Sequence, residues 1–296
     1  MAWMVRSRPP RNNPRELLQS AKSVITLGMD YSHPRPPDPG GLTGKVSRYA
    51  WGRDYHNLIS KSLRRLCRTI QEEYPSFEAY YGVDSRPFIE RAWAEKSGLG
   101  FIGKNNMIIA PGDSSYFFLA MILTNLDLDP DPRIIKDHCG SCTRCLDICP
   151  TDAFHKAGQL DARKCISYLT IEHKGSIPTH LRPLVGRWLF GCDDCQTVCP
   201  HNHSPSMSEQ HDFKPRPNHA WVDLSWLLTT SDQIVSDFFI GTPLRRAGPI
   251  RLKRNAAIVM GNLRNPEAEP SLSIASKHHH PLVREHADWA LKMLRA

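Results

Sequence analysis

No apolar run in this chain approaches the ~20 residues that a helix needs to cross a bilayer, so no membrane span is expected among its 296 residues. No apolar leader is read at its start, which argues against an oxidising compartment and a disulfide framework. No Rossmann glycine fingerprint and no P-loop are read, so no nucleotide-cofactor site is expected. Acidic residues are the scarcer charge: 30 Asp and Glu stand against 38 Lys and Arg, a formal net charge of +8. Such a balance suits a polyanionic partner such as nucleic acid, although many basic proteins are plain soluble enzymes. With 40% hydrophobic and 23% charged residues, the chain can bury a real core in two or three modest domains.

What it does have is cysteine in a pattern. Seven of the nine fall into the runs Cys139-x2-Cys142-x2-Cys145-x3-Cys149-Pro150 and Cys192-x2-Cys195-x3-Cys199-Pro200, with Cys165 between them. The first run is the bacterial ferredoxin pattern, in which the fourth cysteine ligates the other cluster. That crossing gives two [4Fe–4S] clusters, one on Cys139, Cys142, Cys145 and Cys199, the other on Cys149, Cys192, Cys195 and Cys165. Tetrahedral zinc on thiolate pairs is the competing reading, and disulfides are a third. Cys67, in Leu63-Arg64-Arg65-Leu66-Cys67, reads as an inert core residue. Reduced thiolates point to the cytoplasm.

The segment Ser23 to Met29 is β-branched and apolar and reads as a buried strand, while the Pro- and Gly-rich stretch from Ser32 to Gly41 reads as an extended loop. Leu58, Ile59, Leu63, Leu66 and Ile70 form one helical stripe. Phe77 to Val83 reads as a strand, Asp84-Ser85-Arg86-Pro87 as a helix start, and Gly98 as that helix's C-terminal cap. Met107 to Ala110 and Tyr116 to Leu123 read as further strands. Interleaved strands and helices make residues 1–130 an α/β (α+β) domain. Residues 131–204 form a ferredoxin-like double [4Fe–4S] domain with an insertion, and residues 205–296 a connector and a helical tail.

In that tail Leu252, Ala256, Val259 and Leu263, then Val283, Ala287, Ala290 and Leu294, recur at helical spacing, like a single HEAT-type repeat. Its basic cluster of Arg245, Arg246, Arg251, Lys253 and Arg254 reads either as a solvated face or as phosphate contacts to a nucleic acid. His278-His279-His280 reads as an exposed turn between helices.

Several stretches, taken in order, resemble the epoxyqueuosine reductase family. They are Ser47-Arg48-Tyr49-Ala50-Trp51-Gly52-Arg53-Asp54-Tyr55-His56, Val83-Asp84-Ser85-Arg86-Pro87 and Glu90-Arg91-Ala92-Trp93-Ala94. Gly98 to Asn105, Cys165 to His173 and Arg254-Asn255-Ala256-Ala257 continue the likeness over essentially the whole chain. The resemblance implies reduction of epoxyqueuosine to queuosine at the wobble base of a tRNA anticodon stem-loop. It further implies a cobalamin, resting as cob(II)alamin, bound in the N-terminal catalytic domain and reduced through the two clusters by an external electron donor. A monomer is expected, with no protein His on cobalt, because no D-x-H-x-x-G pattern is present. A ferredoxin-type carrier and a corrinoid reductive dehalogenase are the alternatives.

By the same resemblance Asp84 is the proton donor, and Arg11, Ser47, Asp84, Lys104, Asn105, Ser115, Ser167 and Lys174 are candidates around the corrinoid or substrate. His56, His173 and His203 read as further polar contacts or as ordinary histidines. An Asp ahead of a helix start is also a good cap, which would lower its pKa, whereas a general acid needs it raised. An acid at Asp84 is therefore expected to be desolvated and to face a cavity. Relatives extend further before Met1, and Met1-Ala2-Trp3-Met4 reads as the end of a helix, so an upstream start or a fragment is expected.

Overall fold

The computed structural model describes residues 11, 13–132 and 138–296; the Met1 to Met4 helix end read above lies outside them. Its strands are β1 (Ser23–Asp30), β2 (Thr43–Val46), β3 (Ala79–Gly82), β4 (Phe101–Ile102), β5 (Ile108–Ile109), β6 (Phe117–Thr124), β7 (Phe154–Lys156), β8 (Gln159–Leu160), β9 (Trp188–Phe190) and β10 (Trp221–Asp223). Its α-helices are α1 (Tyr55–Glu73), α2 (Glu90–Lys96), α3 (Arg144–Asp147), α4 (Ile166–Ile171), α5 (Asp194–Thr197), α6 (Leu224–Thr229), α7 (Asp232–Phe238), α8 (Gly248–Leu263), α9 (Glu269–Ala275) and α10 (Pro281–Arg295). None of them is long and apolar enough to cross a membrane. The chain divides into two compact units, one of residues 1–32, 54–144 and 196–211, the other of 33–53, 145–195 and 212–296.

In the first unit β6 is the middle strand of an antiparallel sheet ordered β1-β6-β3. Ser23 to Asp30 pair in register with Thr124 to Phe117. With a neighbour on each side, β6 is buried along almost its whole length, which is why it carries Phe117-Phe118-Leu119-Ala120-Met121-Ile122-Leu123 without polar alternation. Helix α1 is capped by Asp54, whose side chain accepts the His56 amide, and buries Tyr55, Ile59, Leu63 and Cys67. The stripe read from sequence was one residue off: Leu66 is 41% exposed, and Cys67 takes the inward position.

The helix expected at Asp84 begins only at Glu90, with Ile89 at its N-cap. Pro87 fixes its own φ and pushes Arg86 out of helical geometry, so the turn after β3 stays open. Gly98 does follow the helix at φ 77°, and a Cβ there would sit 2.5 Å from the Pro132 carbonyl. Gly98-Leu99-Gly100-Phe101-Ile102-Gly103 in fact spells the G-x-G-x-x-G spacing, which the reading from sequence passed over. It follows a helix and leads into the β4–β5 hairpin, the reverse of the strand–turn–helix context that a dinucleotide site requires.

The second unit holds a sheet ordered β10-β2-β9, with β2 antiparallel to β10 and parallel to β9. Helix α8 is buried from Leu252 to Gly261 without interruption, packed among α6, α7, α10 and β9. Gly261 lets α10 come close, since a Cβ there would lie 2.8 Å from Trp289. This burial overturns both readings of the basic cluster for two of its members. Lys253 is 2% exposed and Arg254 0%: Lys253 donates to the Thr230 carbonyl and pairs with Asp232, both at 2.7 Å, and Arg254 donates to the carbonyls of Leu169, His173 and Gly175.

Candidate active site and cluster ligands

Asp84 lies in the turn that follows β3. Tyr55 donates its hydroxyl to Asp84 Oδ2 at 2.6 Å, and His56 Nε2 lies 2.9 Å from Asp84 Oδ1. The other ring nitrogen, His56 Nδ1, lies 2.7 Å from Asp54 Oδ1. The Tyr55 ring stacks between His56 and Phe118, with both centroids 4.1 Å away. Burial alone would lower the His56 pKa, but hydrogen bonds and charge from Asp54 and Asp84 raise it to about 9. The imidazole is therefore protonated at neutral pH, a cation between two carboxylates.

The expected desolvation of Asp84 is not observed: its side chain is 57% exposed. Nor is Asp84 the helix cap that competed with the acid reading, since α2 starts at Glu90. Beyond it stands a second carboxyl, Glu90, whose pKa is raised by burial and by the charge of Asp84. Its Oε1 is buried without a hydrogen-bond partner among the described residues. Arg11 donates to the Phe88 carbonyl at 2.6 Å. Residues next to Asp84 also line a cleft of about 490 Å³, with Ser60, Arg64, Tyr80, Tyr81, Ser85 and Arg86 around it.

Lys104 donates to the carbonyls of Gly140 and Cys142 at 2.6 and 3.0 Å, which ties it to the first cysteine turn. Asn105 is buried and accepts the Met107 amide. Ser115 is buried too, and its hydroxyl accepts from Gln196 at 3.0 Å and Asn202 at 2.9 Å. In the second unit Ser47 donates to Asp193. Ser167 lies in α4, and Lys174 is exposed beyond it. The contacts missed from sequence are Asp54 and Tyr55 around His56, and Gln196 and Asn202 around Ser115. The Asp54 cap two residues before His56 was the legible signal for the first.

All nine cysteines are free thiols, so there is no disulfide. Cys139 and Cys199 pack with Phe101 and Ile109 in the first unit. Burial, then the charge of Cys142, raises the Cys199 thiol. In the second unit Cys195 is pushed up by burial and by the charges of Cys165, Cys145 and Cys149, so these thiols converge. Buried thiolates packed this way need cationic metal to exist.

Single zinc ions do not fit. Among the described residues the one group of three or more ligand side chains within 4.8 Å of one another is Asp232, His278 and His279. Thiolates on one zinc, each about 2.3 Å from it, would lie closer together than that, whereas a four-iron core spreads its ligands wider. The residues fit [4Fe–4S] clusters. The Asp232 group is itself poorly suited to a metal. His278 Nδ1 accepts the His280 amide at 3.1 Å, so its Nε2 carries the proton and faces Asp232 rather than offering a lone pair.

The family model described as "4Fe-4S double cluster binding domain" matches residues 138–202, and that described as "Epoxyqueuosine reductase QueG, DUF1730" matches residues 11–85. The epoxyqueuosine reductase of Pseudomonas aeruginosa is 45% identical over 99% of this chain and 82% of its own length. This chain belongs to the epoxyqueuosine reductase family. The epoxyqueuosine reductase of Escherichia coli is 40% identical over 98% of this chain and 78% of its own.

Two solved epoxyqueuosine reductases share the fold. One, bound to an epoxyqueuosine-modified tRNA-Tyr stem loop, has a TM-score of 0.89 at 35% identity, over 95% of this chain and 76% of its own. The other, from Bacillus subtilis with its catalytic aspartate loop swung out of the active site, has a TM-score of 0.88 at 34% identity with the same coverage. The fold is thus the mixed α/β fold of epoxyqueuosine reductases with a 4Fe–4S binding domain.

Proposed function

We infer that this chain is an oxidoreductase that reduces epoxyqueuosine to queuosine in tRNA. The observation that carries the reading is the 45% identity to an epoxyqueuosine reductase along 99% of the chain. Loss of an epoxide oxygen as water takes two electrons and two protons. The eight cysteines at ferredoxin spacing suit two [4Fe–4S] clusters, which pass electrons singly from an external donor. A bound cobalamin would supply a strongly reducing metal centre at the epoxide.

Arg11, Lys104, Asn105 and Ser115 in the first unit, and Ser47, Ser167 and Lys174 in the second, are the residues we assign to the corrinoid and substrate. The donor set suits such a group: a corrin rim carries amides, which Glu90 Oε1, buried and unpartnered among the described residues, can accept. Exposed Lys174 suits its phosphate. Asp84 is the acid that protonates the epoxide oxygen. Its exposure, which would be a fault in a closed site, gives substrate access to the carboxyl, and an aspartate loop that swings is reported for the Bacillus subtilis relative. Arg64, Arg86, Tyr80 and Tyr81 beside it suit RNA, which is bound through phosphate charge and base stacking. We assign residues 1–130 as the catalytic domain, 131–204 as the cluster domain and 205–296 as a HEAT-like tail of a monomeric cytoplasmic enzyme.

The test is mass spectrometry of nucleosides from tRNA incubated with the cluster-loaded protein, cobalamin and a one-electron reductant. Conversion of the epoxide nucleoside to one lighter by a single oxygen is expected. A loaded protein, with about eight irons per chain, that leaves the nucleoside unchanged would defeat the reading.

A further inference from the structure

The reduction consumes two protons, and a carboxyl group holds one. Both C–O bonds of the epoxide break, two electrons enter from the external reductant, and the oxygen leaves as water. Asp84 must therefore be reloaded within each turnover, and its neighbours decide how. Tyr55 holds Oδ2 from one side, and a neutral phenol is a poor acid at pH 7. His56 holds Oδ1 from the other and is itself backed by Asp54. Its side chain is 26% exposed, so it reaches solvent while Asp84 reaches substrate.

We propose that His56 reprotonates Asp84 between the two proton transfers of each turnover, so that both protons pass through the one carboxyl. The proposal rests on the reductase reading above. His56 Nε2 first gives its proton to the Asp84 carboxylate, Asp84 passes it to the epoxide oxygen as one C–O bond opens, and His56 recovers a proton from solvent. His56 Nε2 then gives its proton to Asp84 Oδ1, and Asp84 gives it to the departing hydroxyl, which leaves as water. Neutral His56 recovers a proton from solvent. Asp54 keeps Nδ1 protonated throughout, so the proton that moves is always the one facing Asp84.

The groups facing this relay are Asp54 before α1, Tyr55 on α1 and Asp84 after β3, with Glu90 on α2 close to Asp84. The raised His56 pKa is what an acid needs in order to stay loaded at neutral pH. His56 acts through Asp84 and is a positioning and reloading residue, not one that touches substrate.

The test is the pH dependence of single-turnover deoxygenation by pre-reduced, cluster- and cobalamin-loaded enzyme on an epoxyqueuosine stem-loop. The wild type should hold its rate up to about pH 9 and lose it above. His56→Gln should be slowed about tenfold or more at pH 7.5 and recover part of that rate with added imidazole. Asp54→Asn keeps His56 but lowers its pKa, so its alkaline limb should move below that of the wild type. The nitrogen chemical shifts of the His56 ring should show the same displacement without any turnover. A His56→Gln enzyme with the wild-type rate and profile, or an Asp54→Asn limb that does not move, would overturn the relay. A wild type that forms no queuosine would instead count against the reductase reading.

Discussion

His56 Nε2 lies 2.9 Å from Asp84 Oδ1, an imidazolium set against a carboxylate whose other oxygen accepts from Tyr55. This contact ties stability to pH with a definite sign. The folded pKa of about 9 lies above the unfolded value of about 6.5. Its stabilisation is therefore complete below about pH 6.5 and is lost as pH rises through about 9. Asp84→Asn removes one of the two charges that raise it. We expect that variant to be less stable than wild type by about 1–2 kcal/mol at pH 6, with the gap closing by about pH 10. Thermal melts at pH 6, 8 and 10 measure it, and a gap that stays constant with pH would refute the coupling.

Arg254 makes the second prediction. Its guanidinium donates to the carbonyls of Leu169 at 2.7 Å, His173 at 2.7 Å and Gly175 at 2.8 Å, and twice to Asn255 Oδ1. Burial, then the charge of Arg251, pulls its pKa down to about 9, and no carboxylate faces it in the second unit. Asn255 extends the clamp by donating to the carbonyls of Thr170 and Leu189, both at 2.9 Å. Those segments carry Cys165 at one end and lead into Cys192 at the other. Arg254→Met removes the donor to the buried Leu169 carbonyl and to the part-buried His173 and Gly175 carbonyls, and should cost about 2–4 kcal/mol. It should also cut iron from about eight to about four per chain, through loss of the cluster on Cys149, Cys165, Cys192 and Cys195. Arg254→Lys keeps the charge but not the fork, and should fall between the two. Full iron in Arg254→Met would exclude the clamp.

The same residue explains what the sequence could and could not convey. The 4Fe–4S domain was legible because cluster chemistry depends on spacings of two and three residues, which a sequence displays directly. Arg254 looked like a surface cation because nothing in its own neighbourhood announces the carbonyls from Leu169 to Gly175 that receive it. The β1, β3 and β6 strands were readable from their apolar runs, whereas the start of α2 was not, because Pro87 outweighed the Asp and Ser before it. Leu66 was misplaced for a similar reason: it and Cys67, read as core and buried, are adjacent apolar residues that both fit a helical stripe, and only packing selects one. Asp84 came from family likeness, and its partner His56 stayed ambiguous because the contact closes between residues far apart in sequence.

His286 gives an acid-side prediction in the opposite sense. It is fully buried, donates from Nδ1 to the Leu282 carbonyl at 2.8 Å and accepts the Ile177 amide on Nε2 at 3.2 Å. Protonation would put a hydrogen on the nitrogen that must accept, beside the cation of Arg182. Burial, then Arg182, therefore holds its pKa down to about 4. A folded value below the unfolded one means that the neutral form stabilises the fold fully above about pH 6.5. That stability is lost as pH falls from about 6.5 to about 4, by up to about 3 kcal/mol. His286→Gln can still accept the Ile177 amide but cannot titrate. It should be less stable than wild type at pH 7.5, through poorer packing, yet lose about 2 kcal/mol less on going to pH 5. Urea unfolding at the two pH values measures the difference, in which the carboxylates common to both proteins cancel. Equal acid losses in the two proteins would mean that His286 is already charged in the folded state, and that Ile177 finds its acceptor elsewhere.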